Sequence, residues 1–148
     1  MNIILLGAEV PSNRTLLETT GARHVGFSFH RLLQRGMPKK GYKIADHFDD
    51  HFQIYLHPGL SDLSTTNLME FSAQYEEFVA VNIDRITSFS EIDVDDQVYV
   101  ENQRRTCWAE VPPGKFLPIW NPSTGFKGLN DLAERYLDIG LPGRALED

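Results

Sequence analysis

The chain has 148 residues, 41% hydrophobic and 24% charged, with a formal net charge of -7. That is enough apolar sequence for one ordinary domain with a packed core, and it excludes a disordered chain. The acidic balance argues against a broad basic surface for nucleic acid and leaves room only for a local basic channel; the single cysteine, Cys107, excludes an intrachain disulfide and a cysteine-rich zinc site.

The N-terminal run Met1 to Gly7 has no basic lead and too short an apolar stretch for a signal peptide, and no later segment approaches the length of a membrane span. A cytoplasmic protein without membrane contact is the expectation. Asn2 to Leu6 has the continuous apolar pattern of a buried strand. Ser12 is the expected N-cap of a helix over Arg14 to Thr20, and Gly21 stands where a left-handed C-terminal residue belongs. Val25, Phe27 and Phe29 alternate through a second strand over His24 to Phe29, followed by a helical turn over His30 to Gln34 that Gly36 stops.

Residues 37–50 are irregular, with a short helix expected around Ile44 to Phe48. His47, Asp49, Asp50 and His51 crowd into one run, but such a run reads as a solvated turn, and no metal or cofactor is expected. Phe52 to Leu56 is a third strand, followed by the turn His57-Pro58-Gly59-Leu60-Ser61-Asp62. Thr65 or Thr66 caps a helix in which Leu68, Phe71, Tyr75 and Phe78 recur at helical spacing, so these side chains belong to the core.

A fourth strand runs through Arg85 to Asp95, with Ile86, Ser88, Ser90 and Ile92 on one face and Thr87, Phe89, Glu91 and Asp93 on the other. It ends in three acids, of which Asp95 is the expected cap of a helix over Asp96 to Trp108. Phe116 to Trp120 is a fifth strand made irregular by Pro118, which removes a ladder donor. A helix over Phe126 to Tyr136, with Leu129 and Leu132 inward, precedes a sixth strand at Leu137 to Gly140 and a polar tail over Leu141 to Asp148.

Strands alternating with helices predict an α/β fold. Crossovers of this length force parallel neighbours, joined right-handed. Neither a G-x-G-x-x-G turn nor a Walker A motif is present. A single domain over 1–148 then forms either an open doubly wound sheet or part of a (β/α) barrel, since a closed barrel of eight strands typically takes about 250 residues. In both cases ligands sit at the carboxyl ends of the strands, which directs attention to Glu9, His57, Glu91, Asp93 and Asn121. Each has a structural alternative: a surface acid for Glu9, packing beside Pro58 for His57, helix capping for the acids at 91–95. Trp120 could stack on a base, though at the end of an apolar strand it fits the core as well.

Several stretches together resemble the queuine/archaeosine tRNA-guanine transglycosylases, in particular the phage and bacterial branch that places 7-deazaguanines in DNA or RNA. They are Leu6-Gly7-Ala8-Glu9-Val10-Pro11-Ser12-Asn13, Ile54-Tyr55-Leu56-His57-Pro58-Gly59, Asp84-Arg85-Ile86 through Glu91-Ile92-Asp93, Phe116-Leu117-Pro118-Ile119-Trp120-Asn121 and Tyr136-Leu137-Asp138-Ile139-Gly140. The resemblance covers most of the chain and implies a partial TIM-barrel-like sector of about six strands. It also implies exchange of guanine for a 7-deazaguanine through a covalent glycosyl-enzyme intermediate.

By this resemblance Glu91 or Asp93 falls where the family has a carboxylate reading the guanine edge. Asn121 falls near a base-contacting glutamine, and Gly140 in a turn that lets backbone approach the base. His57 stands where the family has a carboxylate, and Ser61 where it has a stacking aromatic. The family's nucleophilic aspartate and its zinc site belong to later parts of the barrel. The implied assignment is His57 and Asp93 as catalytic groups, with Glu9, Glu91, Asn121 and Gly140 binding substrate and a second subunit or second copy completing the site. A non-catalytic binding or regulatory protein on the same scaffold is the alternative.

Overall fold

The computed structural model describes residues 4–37, 41–59 and 68–142. The expected strand residues Asn2 and Ile3, the loop residues Pro38, Lys39 and Lys40, the turn residues Leu60, Ser61 and Asp62, the Thr65 or Thr66 cap and the tail from Gly143 lie outside the described residues. The chain divides into two compact units, Met1–Phe89 and Ser90–Asp148.

The first unit holds β1 (Leu5–Leu6), α1 (Pro11–Thr20), β2 (His24–Ser28), α2 (Phe29–Gln34), a 3-10 turn at Ile44–Asp46, β3 (Gln53–His57), α3 (Leu68–Asn82) and the start of β4 (Ser88–Ser90). β1, β2, β3 and β4 are neighbours in chain order, and every pair is parallel: Leu6 lies opposite Gly26, Val25 opposite Ile54, Ser28 opposite His57, and Leu56 opposite Phe89. The fold is therefore α/β with an all-parallel sheet, as the βα alternation predicts. β2 is buried from Val25 to Ser28 on both of its faces, the environment of an inner parallel strand.

The core of this unit is aromatic. Phe29 is fully buried, and its ring lies 5.3 Å from each of Phe71, Tyr75 and Phe78, which follow one another along one face of α3. Asn82 closes the same face. Its buried amide oxygen accepts from the Ile44 amide at 2.7 Å and its nitrogen donates to the Phe78 carbonyl at 2.9 Å, which ties the 3-10 turn to the helix. Arg85 fastens the loop before β3 through the carbonyls of Phe48, Asp49 and Phe52.

The second unit contains the end of β4, α4 (Gln97–Thr106), β5 (Phe116–Leu117), a 3-10 turn at Pro122–Thr124 and α5 (Gly125–Arg135). Just past β4, the Glu91 amide donates to the Leu117 carbonyl at 3.1 Å. β5 stops at Pro118, which has no amide hydrogen to donate. Ile119 then forms an isolated parallel bridge with Gly140, whose amide donates to the Pro118 carbonyl at 2.8 Å. The expected sixth strand at Leu137 to Gly140 reduces to this bridge, and the fifth is two residues rather than five.

Other boundaries also moved. α1 begins at Pro11 with Val10, not Ser12, as its N-cap, because proline has its φ preset for the first helical position and needs no hydrogen-bond partner there. Asp96, not Asp95, caps α4, its side chain accepting from the Tyr99 amide at 3.0 Å. The long alternating strand expected over Arg85 to Asp95 is the three-residue β4. Burial at Phe89 and Glu91 keeps the alternation for one residue past the strand, and it breaks at Ile92, which is buried next to Glu91. No helix among the described residues is long and apolar enough to cross a membrane.

Candidate functional site

In the first unit, polar side chains gather at the carboxyl ends of β1, β2 and β3. After β1 the amides of Gly7 and Ala8 both donate to the Gly26 carbonyl at 3.2 Å, which carries Glu9 toward the end of β2. The Glu9 side chain has no exposed surface. Its Oε2 accepts from the Ser28 amide at 3.4 Å, whereas its Oε1 is buried without a hydrogen-bond partner. The nearest cation is Arg31, whose Nη1 stands 3.7 Å from Oε1, beyond hydrogen-bonding range, on a side chain 63% exposed.

Ser28 ends β2 and caps α2, its hydroxyl accepting from the Arg31 amide at 3.4 Å. His57 ends β3 directly opposite Ser28. The loop after it is held by the His30 amide, which donates to the Pro58 carbonyl at 2.9 Å. Gly59 has a φ of +78°, and a side chain there would run into the Ser28 hydroxyl, so glycine is what lets this loop close against the end of β2. Burial pushes the His57 imidazole below its ordinary pKa of 6.5; the Glu9 charge pulls it back up, and Arg31 pushes it down again. The result is a neutral ring at neutral pH, able to donate from one nitrogen and accept at the other.

The expected site residues in the second unit behave differently. Glu91 is buried and fully engaged: Arg104 donates to it through Nε at 2.8 Å and Nη2 at 2.5 Å, and the Ile119 amide donates at 2.6 Å. Burial pushes the Glu91 pKa up, the bonds from Arg104 and Ile119 draw it down, and the charge of Asp93 adds to the rise, which is the net direction. Burial also works against the charge on Arg104, but its bonds to Glu91 and Glu101 outweigh that and raise its pKa. The pair is carboxylate and guanidinium: a two-point geometry this short is that of a charge-assisted fork.

Arg104 also bonds Glu101 at 2.5 Å; Glu101 in turn faces Arg135 at 3.5 Å, and Lys127 pairs with Asp131 at 2.6 Å. These charges border a groove of about 410 Å³ whose wall includes Asn121. Each cation in it is already matched by an acid. Asn121 is buried and its amide oxygen accepts from the Ser123 amide at 2.9 Å, capping the 3-10 turn. Gly140 packs so closely on Ile119 that a side chain would collide with its Cδ1. Asp93 is half-buried beside Glu91.

Glu9 and His57 thus share the first unit, and Glu91, Asp93, Asn121 and Gly140 the second. Ser28, Arg31 and Arg104 were missed as site residues. Arg104 left one sequence signal, its place four residues after Val100 on the buried face of α4. Among the described residues no group of three or more His, Cys, Asp or Glu is placed to hold a metal ion, and the His51 ring lies against the Asp49 carboxylate. No family model, no curated protein and no solved structure matches this chain.

Proposed function

We propose that this chain is a tRNA-guanine transglycosylase-like protein or subunit. It holds a guanine or 7-deazaguanine base of a nucleic acid at the carboxyl ends of its first strands and acts in the cytoplasm. The observation that carries this reading is the order of β1 to β4: neighbours in chain order, all parallel, with Glu9, Ser28 and His57 at the ends where β/α folds put their ligands. A doubly wound sheet reverses its strand order at the ligand crevice, and these four strands have no reversal. The sector is part of a (β/α) barrel that a second chain or a second copy completes.

In this reading His57, neutral near pH 7, moves the proton on the base, while Glu9 holds it. The attacking carboxylate comes from the completing strands, so the purified chain by itself does not exchange guanine. Incorporation of labelled guanine into tRNA and duplex DNA tests this, first with the chain alone and then with the product of the adjacent gene. Exchange only in the pair supports a split enzyme. Exchange by the chain alone, lost in His57→Ala, overturns the need for a partner.

A second reading, a non-catalytic binding protein on the same scaffold, is favoured by Glu91. Its carboxylate is spent on Arg104 and the Ile119 amide, which suits a structural role better than base reading. Base binding without exchange under any pairing would support it.

A further inference from the structure

The second unit holds a groove of about 700 Å³, the size of a small-molecule site, bordered by the C-terminal ends of α4 and α5 and by the loop over 108–116. Its floor is aromatic. The Trp108 and Phe116 rings stack with centroids 6.0 Å apart, and Tyr136 meets Phe116 edge-on at 5.7 Å. Leu137, 77% exposed, extends this apolar surface to the rim. One wall is a turn in which the Lys115 amide donates to the Pro112 carbonyl at 3.1 Å, with Pro113 and Gly114, at φ +82°, in its two central places. The proline and the turn bond set that wall in advance, so little chain has to be ordered on binding.

Both signs of charge meet around this floor. Arg104 is committed to Glu91 and Glu101. Arg105 is exposed and has no acid within ion-pair range among the described residues. Arg135 is held loosely: its Nη1 lies 3.5 Å from Glu101, and its guanidinium carbon 5.3 Å from the Tyr136 ring centre. Against these two guanidinium groups stand the exposed Glu134 and the last carbonyls of two helices, which carry a partial negative charge. Positive and negative groups are close to balance, which suits neither a simple anion nor a simple cation. It suits a ligand that carries both charges.

We propose that this groove binds a free aromatic α-amino acid. Its ring lies on the surface made by Trp108, Phe116 and Tyr136, its carboxylate takes Arg105 and Arg135, and its ammonium faces Glu134 and the helix ends. None of these residues belongs to the strand ends at Glu9 and His57, so this site and the transglycosylase-like reading stand or fall separately.

Calorimetric titration of the full chain tests the site with three probes: L-tryptophan, N-acetyl-L-tryptophan, which has no ammonium, and tryptamine, which has no carboxylate. L-Tryptophan should bind, and each analogue should bind roughly 10-fold more weakly, as expected for a lost charge-assisted contact. Arg105→Gln should weaken L-tryptophan and N-acetyl-L-tryptophan and leave tryptamine unchanged. Glu134→Gln should weaken L-tryptophan and tryptamine and leave N-acetyl-L-tryptophan unchanged. Both side chains are exposed, so neither substitution should disturb the fold, and a thermal melt matching wild type checks that. Equal binding of L-tryptophan and N-acetyl-L-tryptophan would overturn the assignment in favour of a carboxylate-only site, such as one for the C-terminal residue of a peptide. Equal binding of L-tryptophan and tryptamine, or no binding of L-tryptophan at millimolar concentration, would overturn it outright.

Discussion

Glu9 and Glu91 are both buried carboxylates, each just beyond the end of a short strand, and they differ in what surrounds them. Glu91 receives Arg104 at two points and a backbone amide at a third, and Arg104 is shared onward with Glu101. Glu9 receives one long bond, and its second oxygen has none. A saturated buried ion pair holds its elements in place, because losing either partner strands the other charge out of water. An unsaturated carboxylate has bonding capacity left for something else. The comparison separates a joint of the fold from a candidate binding group, though both residues have the same chemistry and similar positions in their strands.

The largest expected effect tests that separation directly. Arg104→Ala leaves Glu91 buried without its guanidinium and should destabilise the chain by about 3–5 kcal/mol. Glu9→Gln, which removes a charge that makes little use of its bonding capacity, should shift stability by less than about 1 kcal/mol. Urea denaturation of the two variants beside wild type measures both, and equal losses would erase the distinction.

Gly59→Ala comes next. It forces a side chain into a left-handed backbone and against the Ser28 hydroxyl, at a cost of about 1–3 kcal/mol. The same variant should impair ligand binding beside His57 out of proportion to its stability loss, because it pushes the Pro58-Gly59 backbone away from the end of β2. Asp96→Ala removes the cap of α4 in the other unit and should cost about 1 kcal/mol. It should leave binding at Glu9 unchanged, so a binding defect in Asp96→Ala would break the comparison.

The smallest effect is in pH. The folded pKa of His57 lies below its ordinary 6.5 because of burial, so on acidification the unfolded chain takes up its proton first. The His57 contribution is therefore fully present above about pH 6.5 and is lost as pH falls through the lowered folded value. Denaturation midpoints between about pH 7.5 and 5 should fall more steeply for wild type than for His57→Gln. Parallel curves would mean that burial does not hold this imidazole neutral.

Much of the fold was legible locally. The alternation of apolar runs with helical periods is a property of neighbouring residues, and it was sufficient for the parallel α/β class, the aromatic face Phe71, Tyr75 and Phe78, the left-handed Gly21 and the polar residues at strand ends. Short-range competition blurred the boundaries. Pro11 took the first helical position ahead of Ser12, Asp96 took the cap from Asp95, and Pro118 shortened a strand, leaving its expected neighbour a single bridge at Gly140.

The functional distinction between the acids was not legible. As strings, Glu9 after an apolar strand and Glu91 after another look equivalent. Their fates depend on donors far along the chain: Arg104 lies 13 residues from Glu91 and the Ile119 amide 28, while Ser28 lies 19 from Glu9. Which donor reaches a carboxylate, and at what distance, is set by how helices and loops pack on the strands, and packing is a property of the whole chain. The sequence by itself determined that carboxylates would stand at strand ends; only the tertiary structure decided that one would be gripped by three short hydrogen bonds and the other met by one long bond and an exposed guanidinium, because desolvation and hydrogen bonding are settled by neighbours in space.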